Sequence, residues 1–275
     1  MVGEPNGETV PMRLAWMTDI HLDFVHRAVV KALVAETREA RPDAVLIGGD
    51  IGEADSACRL LENLAAQLDL PVFFVLGNHD FYHGSIAAVR AEAAELSKRL
   101  PRLTWLTGTG VVELTTRTAL VGHDGWGDGG FGNVTRTPVR LNDFELIDEL
   151  RNAGRELPAV LRRLGEEAGH HFKTVLPEAL LTHEHVVALT HVPPFREACW
   201  HEGRLSDDDW LPFFACRAAG EAMQGQMWAH PHRSLTTLCG HTHGSGELRV
   251  LPNLTVLTGG AEYGHPRLQR TIEVT

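Results

Sequence analysis

Polar residues with metal-binding side chains follow five separate apolar runs in this sequence. The runs are LAWMT, AVLIGG, VFFVLG, VVALT and TTLCG, and each has the length of a buried strand. The side chains at or just past their ends belong to Asp19, His21, Asp50, Asn78, His79, His191, His241 and His243. In an open α/β sheet the ligand site lies outside the carboxyl ends of the strands. We therefore expect these groups to converge on one crevice.

The donor types narrow the chemistry of such a crevice. Carboxylates, imidazoles and one amide oxygen, without a thiolate, suit Mn²⁺, Fe or Zn²⁺ and also admit Mg²⁺. Seven residues are candidate ligands, namely Asp19, His21, Asp50, Asn78, His191, His241 and His243. Seven ligands are too many for one first-row ion that keeps an open position for water. We therefore predict two ions, about 3.5 to 4 Å apart, that share one carboxylate.

Each of these short motifs has an ordinary explanation when it is taken alone. Asp19 and Asp50 lie where caps and turns use a carboxylate, and a single histidine such as His191 is more often a core or surface residue. Asp80, directly after His79, is a good N-cap for the helix that follows. GHTH is the stronger pattern, because residues two apart at a strand end point the same way. The order of all the motifs, each behind its own apolar run, favours a shared metal site.

Composition limits the partners of the chain. With 275 residues and 43% hydrophobic content, we predict one domain over residues 1–275, of which 1–11 form a loose N-terminal extension. The net charge of -11 supplies no basic field for a nucleic-acid backbone and disfavours a broad nucleic-acid surface. The four cysteines are widely spaced, and the sequence has neither a signal-like apolar core nor a membrane-length apolar run. These features predict a cytoplasmic protein that does not associate with a membrane.

The elements that position the polar residues alternate between strand and helix over the first 100 residues, which predicts an α/β fold. Residues 26–40, 54–68 and 85–100 have the apolar spacing or composition of helices. The glycine-rich stretch GHDGWGDGGFGN at residues 122–133 is typical of a mobile loop whose polar residues keep it soluble. Residues 143–183 are helical in pattern and charged, so we predict a helical insertion there, and strand-like runs return after it.

The five motifs resemble those of a known family. They are Asp-Ile-His at 19–21, Gly-Asp at 49–50, Gly-Asn-His-Asp at 77–80, His191, and Gly-His-Thr-His at 240–243. The calcineurin-like metallophosphoesterases carry DxH, GD, GNH(D/E), H and GHxH in this order, and the chain resembles them in every block. The resemblance implies a four-layer α/β/β/α sandwich, in which two central sheets pack between helices.

The resemblance also implies a role for each matched residue. Each ion would have three ligands of its own: Asp19, His21 and His243 for one ion, and Asn78, His191 and His241 for the other. Asp50 would bridge the two ions. His79 would not be a ligand but would face the scissile phosphate. The implied reaction is hydrolysis of a phosphate ester by a hydroxide that bridges the ions.

Departures from particular branches of the family bear on the substrate. The Ser/Thr protein phosphatase branch usually reads GDxxDRG and GNHE, whereas this chain reads GDIGEAD and GNHD. GNHD with GHTH instead resembles the broad bacterial group of the family that includes cyclic-nucleotide and other phosphodiesterases. On that resemblance we predict a small-molecule phosphate ester as substrate, with a phosphodiester favoured over a phosphomonoester. Two alternatives stay open, a non-catalytic metal-binding interaction module on the same fold and a dimetal hydrolase of a non-phosphate ester or amide. The sequence leaves the oligomeric state open.

Further residues are candidates for supporting roles. Glu53, three residues after Asp50, or Asp80 would keep His79 charged, and the sequence does not choose between them. The substrate-side candidates lie near the motifs, in the glycine-rich stretch and near the end of the chain: Tyr82, His83, His123, Asp124, Trp126, Arg196 and Tyr263. For each of them a solvated loop residue is the competing interpretation.

Overall fold

Residues 10–275 are described by the computed structural model, and they form two large sheets, a short hairpin and eight α-helices. The strands are β1 (Met12–Met17), β2 (Ala44–Gly48), β3 (Val72–Val75), β4 (Leu103–Trp105), β5 (Val112–Glu113), β6 (Thr118–His123), β7 (His185–Thr190), β8 (Trp200–His201), β9 (Arg204–Leu205), β10 (Ser234–Cys239), β11 (Gly246–Leu251), β12 (Leu254–Thr258) and β13 (Arg270–Val274). The helices are α1 (Arg27–Glu39), α2 (Ala57–Leu68), α3 (Ile86–Arg99), α4 (Asp143–Leu146), α5 (Asp148–Arg151), α6 (Leu157–Thr182), α7 (Leu211–Phe214) and α8 (Arg217–Ala229). Of the predicted N-terminal extension, residues 1–9 lie outside the described part of the chain.

Both large sheets have parallel centres. The first has the strand order β13-β1-β2-β3-β4, in which β1 to β4 are parallel and β13 pairs antiparallel with β1. The second has the order β11-β12-β10-β7-β6-β5, with the antiparallel strands β11 and β5 at its edges. Because the central strands are parallel, their carboxyl ends lie at one edge of each sheet.

Alternation along the strands builds the layers. In β1, Leu14 and Trp16 belong to the core between the two sheets, together with residues of β7 and β10. Ala15 and Met17 point the other way, into the core that contains residues of α1, α2 and α3. On the far side, a separate core joins α6 and α8 to the second sheet. Full burial of one Leu or Met side chain stabilises such a core by roughly 1.5–3 kcal/mol. The α/β/β/α sandwich implied by the family resemblance is confirmed.

The predicted helical insertion at residues 143–183 is also confirmed. It consists of α4, α5 and the 26-residue helix α6, which packs along α8 over the second sheet. Within residues 10–275, no helix is both long enough and apolar enough to cross a membrane.

The glycine-rich stretch at 122–133 corrects a prediction. It has no regular structure beyond the end of β6, but it is not the solvated loop expected from its composition. His123, Asp124, Trp126 and Asp128 are all buried. The glycines serve close packing, because a Cβ at Gly127 would lie 2.1 Å from the carbonyl oxygen of Phe213.

Candidate metal centre

The loops that follow β1, β2, β3, β7 and β10 meet where the two sheets adjoin. Backbone hydrogen bonds connect them: the Asp19 N–H donates to the Gly49 carbonyl at 3.0 Å, and the Gly240 N–H donates to the His191 carbonyl at 2.9 Å. Two glycines permit this close approach: a Cβ at Gly77 would lie 2.2 Å from Oδ1 of Asp50, and a Cβ at Gly240 would lie 2.0 Å from Oδ2 of Asp19. The structure thereby brings together all seven side chains that the sequence predicted as ligands.

Five of these seven residues have a left-handed backbone conformation. Their φ angles are 51° at Asp19, 39° at His21, 53° at Asp50, 70° at His241 and 60° at His243. This conformation costs an L-residue roughly 1–2 kcal/mol. Backbone strain of this kind clusters at functional sites, where the surrounding structure holds it in place. The strained positions therefore support the interpretation of these loop ends as a functional site.

A first group of potential ligands contains Asp19, His21, Asp50 and His243. One ligand atom from each residue lies within 4.8 Å of the others. Nε2 of His21 is 3.8 Å from Oδ2 of Asp50, and Nε2 of His243 is 3.6 Å from Oδ1 of Asp19. These separations are too long for direct hydrogen bonds and leave space between the atoms.

A second group surrounds the amide of Asn78. Its Oδ1 lies 3.1 Å from Nε2 of His191 and 2.9 Å from Nδ1 of His241. Nε2 of His191 is also 3.4 Å from Oδ1 of Asp50. Asp50 therefore turns one carboxylate oxygen toward this group and the other toward His21 in the first group. This is the arrangement that a bridging carboxylate requires.

Backbone carbonyls fix the protonated nitrogen of two imidazoles. Nδ1 of His191 is 2.8 Å from the Gly48 carbonyl oxygen, and Nε2 of His241 is 3.1 Å from that of Phe213. A carbonyl oxygen only accepts, so these ring nitrogens must donate. In a neutral ring the opposite nitrogen then carries a lone pair, and in both rings that nitrogen faces Oδ1 of Asn78.

The Asn78 amide is oriented from its other end. Its Nδ2 donates a hydrogen bond of 2.9 Å to Oδ1 of Asp143, which also accepts one of 2.7 Å from the Tyr82 hydroxyl. Oδ1 of Asn78 is thereby turned toward the imidazoles. Facing lone pairs repel one another, and a cation between them would convert the repulsion into attraction.

The electrostatics of the first group also fit cations. Both ring nitrogens of His21 are buried without a hydrogen-bond partner among the described residues. Burial, with smaller effects from neighbouring imidazoles, lowers the pKa of His21 to about 2, so the ring is neutral and offers a lone pair. Burial also raises the pKa of Asp50 to about 7, with Asp19 adding to the rise. Buried carboxylates with neutral imidazoles are a donor set for a first-row metal ion.

His191 and His241 respond differently to their surroundings. Burial lowers the pKa of His241 well below its ordinary value, which keeps the ring neutral. Burial also works to lower the pKa of His191, but Asp50 and Asp19 outweigh it and raise the pKa. The rise reflects a negative potential at His191, which a metal ion would neutralise.

His79 lies beside both groups. It begins the 3-10 turn His79–Phe81, and its backbone N–H donates to Oδ1 of Asp50 at 2.9 Å. Its Nε2 is 3.2 Å from the Tyr263 hydroxyl. Burial lowers the pKa of the ring, and the charge of Asp143 opposes that shift.

Neither of the carboxylates expected to support His79 does so. Glu53 lies near His83 instead, with 3.9 Å between Oε2 and Nε2. Asp80 is fully buried and accepts hydrogen bonds from four backbone N–H groups, at Asp50, Ile51, Gly52 and Gly77. Asp80 therefore ties the loop after β2 to the loop after β3.

Three of the substrate-side candidates lie away from the ligand groups. His123 packs against His171 with 5.1 Å between ring centroids, and Trp126 lies in the α1–α3 side of the core beside Phe81. Arg196 is half-exposed and pairs with Asp208 at 2.9 Å. None of the three lines the pocket over the ligand groups, and for His123 and Trp126 the reason is that the glycine-rich stretch turns into the core.

A cleft of about 290 Å³ opens over the two groups. Beyond Asp50, Asn78, His79, His241 and His243, its walls comprise Tyr82, Arg140, Leu141, Asn142, Asp143, His201, Phe214, Thr242 and Tyr263. Tyr82 and Tyr263 are thus placed as the sequence suggested. Asp143 and Arg140 were missed, because nothing local distinguishes a buried carboxylate at the start of α4 from an ordinary helix-start residue.

The sequence model of the calcineurin-like phosphoesterase family matches residues 12–245. No curated protein sequence gives a significant match.

Several solved structures share the fold. A phosphopantetheinyl hydrolase from Mycobacterium tuberculosis has a TM-score of 0.67 at 14% identity, over 93% of this chain and 94% of that one. A dimetal phosphatase from Danio rerio has a TM-score of 0.57 at 16% identity, over 94% and 91% respectively. A 5'-nucleotidase from Candida albicans has a TM-score of 0.51 at 13% identity, over 90% of this chain but 45% of that one.

At these identities the structural likeness concerns the fold alone. The family match, in contrast, spans the first four motifs and the GHTH motif at residues 240–243. On that match, the chain belongs to the calcineurin-like phosphoesterase family.

Proposed function

We propose that this protein is a dinuclear-metal-dependent phosphoesterase of small-molecule phosphate esters, with phosphodiesters preferred over monoesters. The observation that carries the proposal is the convergence of imidazole nitrogens on Oδ1 of Asn78 and on the two oxygens of Asp50. Backbone carbonyls hold the imidazoles of His191 and His241 in that orientation. Five of the seven candidate ligands also have a strained left-handed backbone, as is typical of a functional site.

Each ion would have four protein ligands. Asp50 would belong to both, and the remaining ligands would be Asp19, His21 and His243 for one ion and Asn78, His191 and His241 for the other. The oxygen and nitrogen donors suit Mn²⁺, Fe or Zn²⁺, and they admit Mg²⁺. When bound, two such cations stabilise charge on phosphoryl oxygens and lower the pKa of coordinated water toward neutrality.

The side chains around the centre would bind and orient the substrate. His79 presents Nε2 to the cleft, where it would hydrogen-bond a phosphoryl oxygen or give its proton to the departing alkoxide. Although burial lowers the pKa of His79, the negative charge of a bound phosphate would favour the protonated ring. Asp143 and Tyr82 would act one step away, by holding the Asn78 amide in its orientation.

The charge of the cleft supports a diester over a monoester. Among the described residues that line it, Arg140 is the one Lys or Arg side chain, whereas Asp50 and Asp143 contribute carboxylates. A phosphomonoester is largely dianionic at neutral pH, and a diester carries one negative charge. With so few cationic side chains, the cleft offers a monoester little beyond what the two ions provide.

Hydrolysis by metal-reconstituted protein tests the proposal. We expect metal-dependent turnover of bis-p-nitrophenyl phosphate and a lower kcat/KM for p-nitrophenyl phosphate. Asp50→Ala should lower kcat/KM by about two orders of magnitude or more, because both ions lose a ligand. Glu95→Ala, which removes an exposed carboxylate paired with Lys98, is the matched control and should be active. Full activity of Asp50→Ala, or turnover of carboxylic esters or amides without turnover of phosphate esters, would contradict the proposal.

A further inference from the structure

Two exposed aromatic side chains lie together beside the cleft, and one of them, Tyr263, forms part of its wall. Phe24 is 54% exposed and Tyr263 is 48% exposed, and their rings meet edge to face with 5.5 Å between centroids. The other strongly exposed large apolar residues of the described chain are Val10, Leu181, Leu205 and Trp228. A paired exposure of aromatic surface beside a functional site is typical of a binding surface.

The pair is continuous with the proposed metal ligands. The Tyr263 ring lies 4.5 Å from the His21 ring and 5.2 Å from the His243 ring, measured between centroids. Phe24 ends the 3-10 turn Leu22–Phe24 that directly follows His21, and its ring is 6.2 Å from the His21 ring. A molecule bound to ions at His21 and His243 would therefore lie within reach of both aromatic rings.

The backbone around Tyr263 is fastened to the site. The Gln269 side chain makes two hydrogen bonds to the Gly260 backbone. Its Oε1 accepts one of 3.1 Å from the Gly260 N–H, and its Nε2 donates one of 2.7 Å to the Gly260 carbonyl. The Ala261 N–H donates to the His243 carbonyl at 3.0 Å. The segment that carries Tyr263 is thereby tied to the GHTH loop, which favours a preorganised wall over a loose flap.

The Tyr263 hydroxyl lies beside the histidine proposed to contact the substrate. It lies 3.2 Å from Nε2 of His79, the atom proposed to contact the phosphoryl or leaving oxygen. An entering ester would replace this contact with its own oxygen, and the group attached to that oxygen would then lie beside the Tyr263 and Phe24 rings.

We propose that Phe24 and Tyr263 form the binding surface for the alcohol part of the substrate, and that this part carries a planar aromatic or heteroaromatic ring. The inference rests on the proposed phosphoesterase function and adds a substrate class to it. Aromatic rings pair in edge-to-face or offset geometry, which the crossed orientation of Phe24 and Tyr263 offers to a third ring. Aryl phosphates and nucleotides share this chemistry.

A binding experiment with unreactive phosphonates measures the contribution of the ring to affinity separately from that of the phosphoryl group. The metal-reconstituted protein is titrated calorimetrically with benzylphosphonate and with methylphosphonate. We expect benzylphosphonate to bind about 10-fold more tightly, which corresponds to two favourable aromatic contacts. Phe24→Ala and Tyr263→Ala should each reduce that ratio about 3-fold or more, whereas Tyr263→Phe should retain it.

Trp228→Ala supplies the control, because Trp228 is an exposed aromatic residue on α8 that neither lines the cleft nor contacts Phe24 or Tyr263. It should leave the ratio unchanged. The same variants are then compared on benzyl phosphate and methyl phosphate, whose alcohols have similar basicity, and the ratio of kcat/KM should follow the ratio of affinities. Nucleoside monophosphates in place of benzyl phosphate distinguish a nucleobase from an aryl ring.

The possible results separate this inference from the function on which it rests. Equal affinity of the wild type for the two phosphonates would contradict the aromatic binding surface. An equal loss of affinity for both phosphonates in Phe24→Ala and Tyr263→Ala would contradict it as well. Neither result would contradict the phosphoesterase function. Absence of phosphonate binding and of phosphate-ester hydrolysis by the wild-type protein would contradict both.

Discussion

Asn78 and His79 are consecutive residues whose side chains face different neighbours. Asn78 turns its amide oxygen toward two imidazoles, while His79 turns Nε2 toward the Tyr263 hydroxyl in the cleft. A strand end that turns into a 3-10 helix separates the two directions. This division suits a metal ligand next to a residue that contacts the substrate.

The division leads to different outcomes for two alanine variants. Asn78→Ala should lower the metal content of reconstituted protein toward one ion per chain, because one ion loses an oxygen ligand. His79→Ala should retain two ions and lower kcat about 10²- to 10⁴-fold, the usual contribution of a proton donor. Metal analysis and steady-state kinetics measure the two effects. Equal metal loss in both variants would show that the two roles are wrongly assigned.

Asp143 is expected to act on metal binding without being a ligand. Asp143→Ala frees the Asn78 amide to rotate, so the affinity for one ion should fall about 10- to 100-fold, as is typical when a ligand loses its orienting partner. Competition with a chromogenic chelator measures this affinity without reference to activity. Glu145→Ala, at an exposed position of the same helix, should bind both ions as the wild type does. Unchanged affinity in Asp143→Ala would contradict the positioning role.

At the scale of elements, the segment after β6 is packed rather than loose. Asp124 collects hydrogen bonds at Oδ1 from the Leu76 N–H, the Trp105 indole and the Thr107 hydroxyl, at 2.7 to 3.0 Å. At Oδ2 it accepts a hydrogen bond of 2.9 Å from Nε of Arg90. This carboxylate therefore joins the ends of β3 and β6 to β4 and α3, and its nearest partners are structural.

Asp124 should make stability depend on pH in a defined direction. Burial works to raise its pKa, but Arg90, His123 and the hydrogen bonds outweigh burial, and the pKa lies below its ordinary value. A lowered folded-state pKa stabilises the fold above the unfolded pKa of about 3.9, and this stabilisation is lost as pH falls through the folded pKa. Asp124→Asn should therefore lower the free energy of unfolding by about 3 kcal/mol at pH 7. This difference from the wild type should shrink as the pH falls below about 4.

Urea unfolding across a pH series measures that difference. The control is Asp148→Asn, which removes half of an exposed i,i+3 pair with Arg151 and should change the free energy of unfolding by less than about 0.5 kcal/mol. If the difference in the free energy of unfolding between Asp124→Asn and the wild type does not shrink at the lowest pH of the series, the lowered pKa is contradicted.

Alanine substitution of one glycine within residues 122–133 tests whether this stretch is close-packed, and substitution of a glycine in α8 is the control. Gly127→Ala would place a Cβ 2.1 Å from a backbone oxygen and should lower the free energy of unfolding by about 1–3 kcal/mol or more. Gly225→Ala, inside α8 with nothing within 4 Å of the added methyl group, should raise it by up to about 1 kcal/mol. Urea denaturation gives both values, and similar stability of the two variants would mean that the segment yields easily.

These elements also show what the sequence could and could not predict. Strand and helix positions followed from apolar period, and the strand-end residues followed from the rule that sites lie beyond the carboxyl ends of strands. Composition misled for residues 122–133, because glycine permits tight packing as readily as motion. Asp143 was invisible, because its partners Asn78 and Tyr82 lie more than 60 residues away and only tertiary packing brings them together.

At the scale of the whole molecule, the proposed centre lies where the two sheets adjoin. Asp19, Asp50 and Asn78 follow strands of the first sheet, whereas His191 and His241 follow strands of the second. Ions held by both sets would bridge the two halves of the sandwich, so metal binding and the packing of the sheets should be linked. The motifs span more than 220 residues of sequence, and they come together because all of them lie at one shared edge of the fold.

The sharing of Asp50 is the central claim, and anomalous diffraction from manganese- or zinc-loaded crystals tests it most directly. We expect two peaks about 3.5–4 Å apart, both in contact with Asp50. One peak should also contact Asp19, His21 and His243, and the other should contact Asn78, His191 and His241. A single peak, or two peaks that do not share Asp50, would contradict the account.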